Sequence, residues 1–383
     1  MSNCSMRSVR KIHVLVLIGL SASAAMAQTA TARIVNAANA FLSTLDEKQR
    51  QSVVFAFDDE QQRKRWSNLP TGMVPRGGID LKDMTAAQRS AAMALVSSAL
   101  SQRGFEKVQQ IMDGDEMLKG TEGNGRRGGG PPPGRGPNGP PAGNGDGRGG
   151  GRPGNGPPTG RGGSDPMFGK DRYYISILGT PSEKNPWMLQ FGGHHLALNI
   201  TIAGERGILT PTLTGAQPGL YKVDGRTVRP LGQESDKALA LLNALDENQR
   251  KQAIVSYRVA DLVLGPGQDG KTIQPEGLKA SGMNEKQRAM LLDVIAEWAG
   301  IIHESAAAAR MAELKAEINE TWFAWSGPVT AAPGSNITAY YRIQGPHLVI
   351  EYAPQELGGD PALHIHTMYR DPTNDYGRKP AAK

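Results

Sequence analysis

The chain has 383 residues, a formal net charge of +6 and one cysteine. Arg7, Arg10 and Lys11 contribute +3, and six arginines against two acids in residues 120–163 contribute +4, which leaves −1 for the remainder. A nucleic-acid binder carries its positive charge on the folded surface, so that class is excluded. Cys4 stands in the leading segment, so the rest of the chain forms no disulfide, and a metal site there must use nitrogen and oxygen ligands.

In chain order, the basic residues at 7–11 precede an apolar run over 14–20, and Ala25-Met26-Ala27 supplies a small-x-small signature. This predicts a signal peptide over 1–27, cleaved after Ala27, and a periplasmic or secreted mature chain without a transmembrane segment. Residues 28–119 read as helical. Ile34, Ala38, Phe41, Leu42 and Leu45 recur at helical spacing, and Asp46 and Thr85 open capping boxes closed by Gln49 and Gln88. Residues 120–165 read as a disordered linker, because the 44 residues of 120–163 hold 20 glycines and 9 prolines and cannot bury enough apolar surface to offset ordering entropy.

Residues 166–225 then read as strands, 226–320 as helices, and 321–383 as strands with a His-x-His tail. The second helical stretch repeats the first: Leu241 to Arg250 aligns with Phe41 to Arg50, and Met283 to Arg288 with Met84 to Arg89, so Asp246 and Asn284 cap as Asp46 and Thr85 do. The strands repeat too, since Phe191 to Asn199 aligns with Ile343 to Glu351. The expected fold is α+β: two tandem helix-then-strand repeats packed with pseudo-twofold symmetry, interrupted by the Gly/Pro-rich loop.

The histidines carry the chemistry. His364 and His366 project from one face of an extended strand, and His194 and His195 form a second group. His347 matches His195 in the repeat and is explained by the scaffold, whereas His194 is replaced there by Pro346. His194 or His195 with His364 and His366 gives three imidazoles and an open position, the donor set of a catalytic zinc or copper site. Iron is less favoured unless a carboxylate joins. Glu351, Asp371 and Asp375 are candidates for that carboxylate or for a catalytic role beside it, and the strand after His364 is expected to lack a counterpart in the first repeat. His303 is expected to be a partly exposed helix residue.

The segment Gly192-Gly193-His194-His195-Leu196-x-Leu198-Asn199, the tail His364-x-His366-x-x-Tyr369-Arg370-Asp371-Pro372-x-Asn374-Asp375-Tyr376-Gly377, and Arg63-x-x-Trp66-x-x-x-Pro70 resemble the DUF3500 family. The resemblance covers nearly all the chain after the signal peptide, the Gly/Pro loop excepted. It implies membership and brings no catalytic residues with it, because the name denotes a domain of unknown function.

Arg370 is a candidate for catalysis or for binding a substrate carboxylate or phosphate, with a structural turn as the alternative. Arg63 and Trp66 are candidates for a stacking pair at a cleft, with core packing of Trp66 as the alternative. No phosphate-binding Gly loop follows a strand and no Gly-x-Ser-x-Gly elbow occurs, so no nucleotide cofactor is expected. The sequence points to an exported metal-dependent enzyme, hydrolytic or redox, acting on an extracytoplasmic small molecule or polymer. The alternative is a non-catalytic binding or scaffold protein.

Overall fold

The computed structural model describes residues 1, 28–120, 166–357 and 359–378. The expected signal peptide and nearly all of the expected Gly/Pro linker lie outside the described residues. The first helical stretch contains α1 (Ala30–Ser43), α2 (Glu47–Val53), α3 (Glu60–Arg63), α4 (Ala86–Ala99) and α5 (Gln102–Lys119), with short strands β1 (Val54–Phe55) and β2 (Ile79–Asp80). Strands β3 (Tyr174–Leu178), β4 (Trp187–Gly193), β5 (Leu196–Ala203), β6 (Arg206–Ile208), β7 (Thr212–Ala216), β8 (Tyr221–Val223) and β9 (Arg226–Val228) follow. Helices α6 (Gly232–Ala244), α7 (Glu247–Ala253), α8 (Glu285–Ala299) and α9 (Glu304–Ala316) come next, with β10 (Leu278–Lys279) between α7 and α8. Strands β11 (Trp322–Ser326), β12 (Tyr340–Gly345), β13 (Leu348–Pro354) and β14 (Ile365–Arg370) complete the chain. Among the described residues no helix is long and apolar enough to cross a membrane.

All four expected capping boxes form. Asp46, Thr85, Asp246 and Asn284 each accept from the backbone N–H of the glutamine three residues on, whose side chain in turn accepts from the cap residue's own N–H. The glutamines also join helices. Gln88 Nε2 donates to Thr44 O (2.9 Å) and Gln49 Oε1 (2.7 Å), and Gln287 Nε2 donates to Ala244 O (2.8 Å) and Gln249 Oε1 (2.8 Å).

One large mixed sheet runs in the order β1-β3-β4-β5-β7-β14-β13-β12-β11-β10, with β2 on β3 and β6 on β5. Along its strands, alternate residues enter different cores, as period-two geometry requires. Ile175, Phe191 and Leu198 pack under α1, α4 and α5, and Tyr341, Ile350 and Tyr369 pack under α6 and α8. On the other face, Leu178, Met188, Ala197, Leu213 and Met368 meet Trp66 and Tyr376 in a small third cluster. β7 pairs antiparallel with β14 at the middle of the sheet. β7 pairs with β5 and β14 pairs with β13, each antiparallel.

Candidate metal centre

The site assembles where β5, β7 and β14 begin or end on the face that carries the small third core. Gly193 pairs with Leu196, so His194 and His195 form a two-residue hairpin turn between β4 and β5. His195 takes a left-handed conformation (φ 58°), which costs energy in a residue with a Cβ. The turn is fixed from both sides: the His195 N–H donates to Asn68 O (3.3 Å) and its carbonyl accepts from Gly215 N–H (2.7 Å). β5 and β14 are not neighbours, because β7 lies between them. The imidazoles still meet, since the β7 residue paired with His366 is Gly215. A Cβ at Gly215 would lie 3.1 Å from His195 Cβ and Cδ2 and 2.8 Å from Ile365 O.

His195, His364 and His366 point their Nε2 atoms at one another, at 3.0 Å, 3.1 Å and 3.2 Å around the triangle. The opposite nitrogens fix the tautomers. His364 Nδ1 lies 2.7 Å from Leu357 O and His366 Nδ1 lies 3.3 Å from Asp261 Oδ1. A carbonyl and a carboxylate accept only, so Leu357 O places a proton on His364 Nδ1 and Asp261 favours one on His366 Nδ1, while Asn68 Nδ2 lies 3.4 Å from both ring nitrogens of His366. His195 Nδ1 is buried without a partner. With Nδ1 protonated, His364 and His366 turn lone pairs toward His195 Nε2, and a cation held there would relieve the repulsion among the three converging nitrogens. The size fits. The corners of such a triangle lie about 1.8 Å from its centre, less than the zinc–imidazole bond length of about 2.0–2.1 Å, so the three nitrogens are close enough together to hold one such ion.

The electrostatics disfavour protonation of His195 and His364. Burial pushes His195 well below its usual pKa, and the neighbouring His194, His366 and His364 add to the shift. Burial also lowers His364, to about 4, against the opposing hydrogen bond to Leu357. Asp261 is disfavoured as a carboxylate by burial, but hydrogen bonds from His366 and the Leu262 amide outweigh it and hold its pKa below the usual range.

His194 faces elsewhere. Its Nδ1 lies 2.7 Å from Asp115 Oδ1 on α5, while Tyr173 OH lies 2.8 Å from Asp115 Oδ2. Its ring packs on that of His195 with centroids 3.6 Å apart, so His194 buttresses the trio from the α5 side. It is His195 whose Nε2 joins His364 and His366, while His194 groups with Asp115 and His195.

The other sequence candidates are committed to protein partners. Glu351 is fully buried and accepts from the amides of Val263 (2.7 Å) and Leu264 (2.8 Å) and from Tyr340 OH (2.8 Å). Arg370 donates to Leu264 O, Gly265 O, Asp269 and Asp375, which engages all three of its nitrogens, and it is buried. Asp375 is thereby tied to Arg370, and Asp371 accepts from Thr373 and Arg310. Arg63 does not stack on Trp66; it lies over Phe57, 4.8 Å from the ring centroid, and donates to Phe57 O. Trp66 is buried, with its indole N–H on Tyr376 OH (2.8 Å) and Arg370 5.6 Å from its ring centroid. His303 is buried and not partly exposed: it stands at the N-cap position of α9, its N–H donates to Ala99 O (3.1 Å), and its Nδ1 lies 3.0 Å from Ser305 Oγ. Its pKa is lowered by burial first.

Sequence reading missed Asp261, Asn68, Asp115 and Gly215. Only Asp115 had a signal: it extends the buried stripe Val108, Ile111, Met112 at the i+7 position, an acid where an apolar residue is expected.

The model of a family described as protein of unknown function (DUF3500) matches residues 27–378. No curated protein and no solved structure matches the chain.

Proposed function

The chain belongs to the DUF3500 family, whose description carries no activity, and from the site alone we propose that His195, His364 and His366 hold one zinc or copper ion at a centre with an open coordination position. The observation that carries this is the Nε2 triangle with two of its tautomers set by Leu357 O and Asp261. Bound there, the ion supplies Lewis-acid or redox chemistry at the fourth position. Asp261 and the Leu357 carbonyl orient the ligands, the left-handed turn aims His195, and Asp115 holds His194 against it.

We read the protein as an exported enzyme acting on an extracytoplasmic molecule. The palindromic strand order about β7 and β14 supports the reading of two related halves in one body. One observation favours a non-catalytic binding or scaffold protein instead: Glu351, Asp371 and Asp375 all have fixed protein partners, which leaves Asp261 as the carboxylate at the trio. The test is elemental analysis of protein purified without a histidine tag. One equivalent of zinc or copper, lost in His364→Ala and in His366→Ala with helix content unchanged, is the expected outcome. No stoichiometric metal even after reconstitution would overturn the metal-dependent enzyme in favour of the binding or scaffold protein, and metal retained by the two variants would place the ion elsewhere.

A further inference from the structure

At the opposite end of β14, a cleft of about 720 Å³ opens between α9, β6 and the turn formed by Pro346 and His347. That volume lies within the range of about 300–1,000 Å³ typical of small-molecule sites. Asp371 at its base is five residues from His366, or ~17 Å at a strand rise of about 3.3 Å, so the cleft is a site apart from the histidine trio.

Its walls differ in character. One side is apolar, with Ile208, Leu209, Ile302, Ala306 and Ala309. The charged groups are unbalanced: four carboxylates, from Glu205, Glu313, Glu317 and Asp371, meet two arginines. Arg310 is neutralised within the wall, since it reaches Asp371 (3.2 Å), Glu313 (3.1 Å) and Tyr369 OH (3.2 Å) and also donates to His347 O. The carboxylates at the mouth stay wet, with 63% of the Glu313 side chain and 39% of Glu317 exposed, and their partners there are Arg310 for Glu313 (3.1 Å) and the His347 imidazole for Glu317 (3.5 Å), which an entering ammonium would displace or share. An anion entering here meets a net negative rim. A purely apolar molecule leaves that rim unused.

We propose that this cleft binds a small organic cation, an apolar body carrying a protonated amine, with the body against Ile302 and Ala309 and the ammonium at Glu313 and Glu317. The inference uses no metal and stands apart from the reading of the histidine centre.

Three probes with one apolar body separate the contributions: 3-phenylpropylamine, 3-phenylpropanol and 3-phenylpropionate, titrated into the full chain by calorimetry. The amine is expected to bind at least about fivefold more tightly than the propionate, a difference of about 1 kcal/mol. Glu313→Gln/Glu317→Gln should remove that preference and leave the alcohol's affinity unchanged. Ala309→Trp, on an exposed helix position, should fill the cleft and abolish binding of all three. Equal binding of the three probes, no binding of any, or amine binding that survives both variants would overturn the proposal. So would amine binding that appears only after residues 379–383 are deleted, because the cleft would then belong to the chain's own lysine-bearing end.

Discussion

Gly215 shows how one missing side chain makes the centre possible. It lies on β7 between the turn that carries His195 and the strand that carries His366, and an added Cβ meets His195 at 3.1 Å and the backbone oxygen of Ile365 at 2.8 Å. His195 cannot retreat freely, because its backbone is pinned to Asn68 and Gly215. Gly215→Ala is therefore expected to displace the His195 ring and lower metal affinity by about 10- to 100-fold, the usual effect of disturbing a ligand's support, as read by competition with a chromogenic chelator. Protons act on the same groups. His364 has a folded pKa of about 4, against about 6.5 for an unperturbed histidine, so between those values the unfolded chain binds more protons than the folded one. Stability of metal-stripped protein should fall as pH drops from about 6.5 to about 4 and take no further loss from this residue below that, and His364→Gln should flatten the slope in denaturant titrations. Strand alternation made the His364/His366 pair legible in sequence. The tautomers were not, because Asp261 is 105 positions from His366 and Leu357 contributes a carbonyl, which has no sequence signature.

At the scale of elements, local chemistry was the most legible part. The four Asp/Thr/Asn-x-x-Gln boxes fix the starts of α2, α4, α7 and α8 through bonds closed within four residues, so sequence spacing suffices to find them. Each second glutamine also carries a tertiary load: Gln88 ties α4 to the end of α1, and Gln287 ties α8 to the end of α6. Gln88→Ala and Gln287→Ala should each cost about 1–3 kcal/mol, since each removes a cap partner and leaves a helix-terminal carbonyl unpaired. Comparable losses in urea unfolding are expected, and a loss at only one of the two would show that the pairs do different work. Strand pairing was less legible. Alternation separates the two faces of β5 and β14, but nothing local says that β7 comes between them or that His195 adopts a left-handed turn.

Whether the molecule behaves as one body depends on what crosses between the two helical sets. Leu100 bridges Ile302, Ser101 donates to Gly300 O at 2.6 Å, and Lys107 of α5 reaches Glu234 of α6 and Glu297 of α8. Glu234 is fully buried, and burial raises its pKa against the opposing pull of Lys107. A charge in that position is tolerated only while its partner is present, because the desolvation cost of a buried ion exceeds what remains once the pair is broken. Lys107→Met should therefore destabilise the protein by about 3–5 kcal/mol, whereas adding Glu234→Gln to it should recover part of the loss by removing the stranded carboxylate. The helix-rich sets share one sheet through β7 and β14, so the loss should appear in a single unfolding transition in which near-ultraviolet and far-ultraviolet signals coincide. Two separated transitions, with only one moved by Lys107→Met, would mean that the halves fold independently. The histidine centre would then be a joint between two bodies, because His195 comes from one half and His364 and His366 from the other.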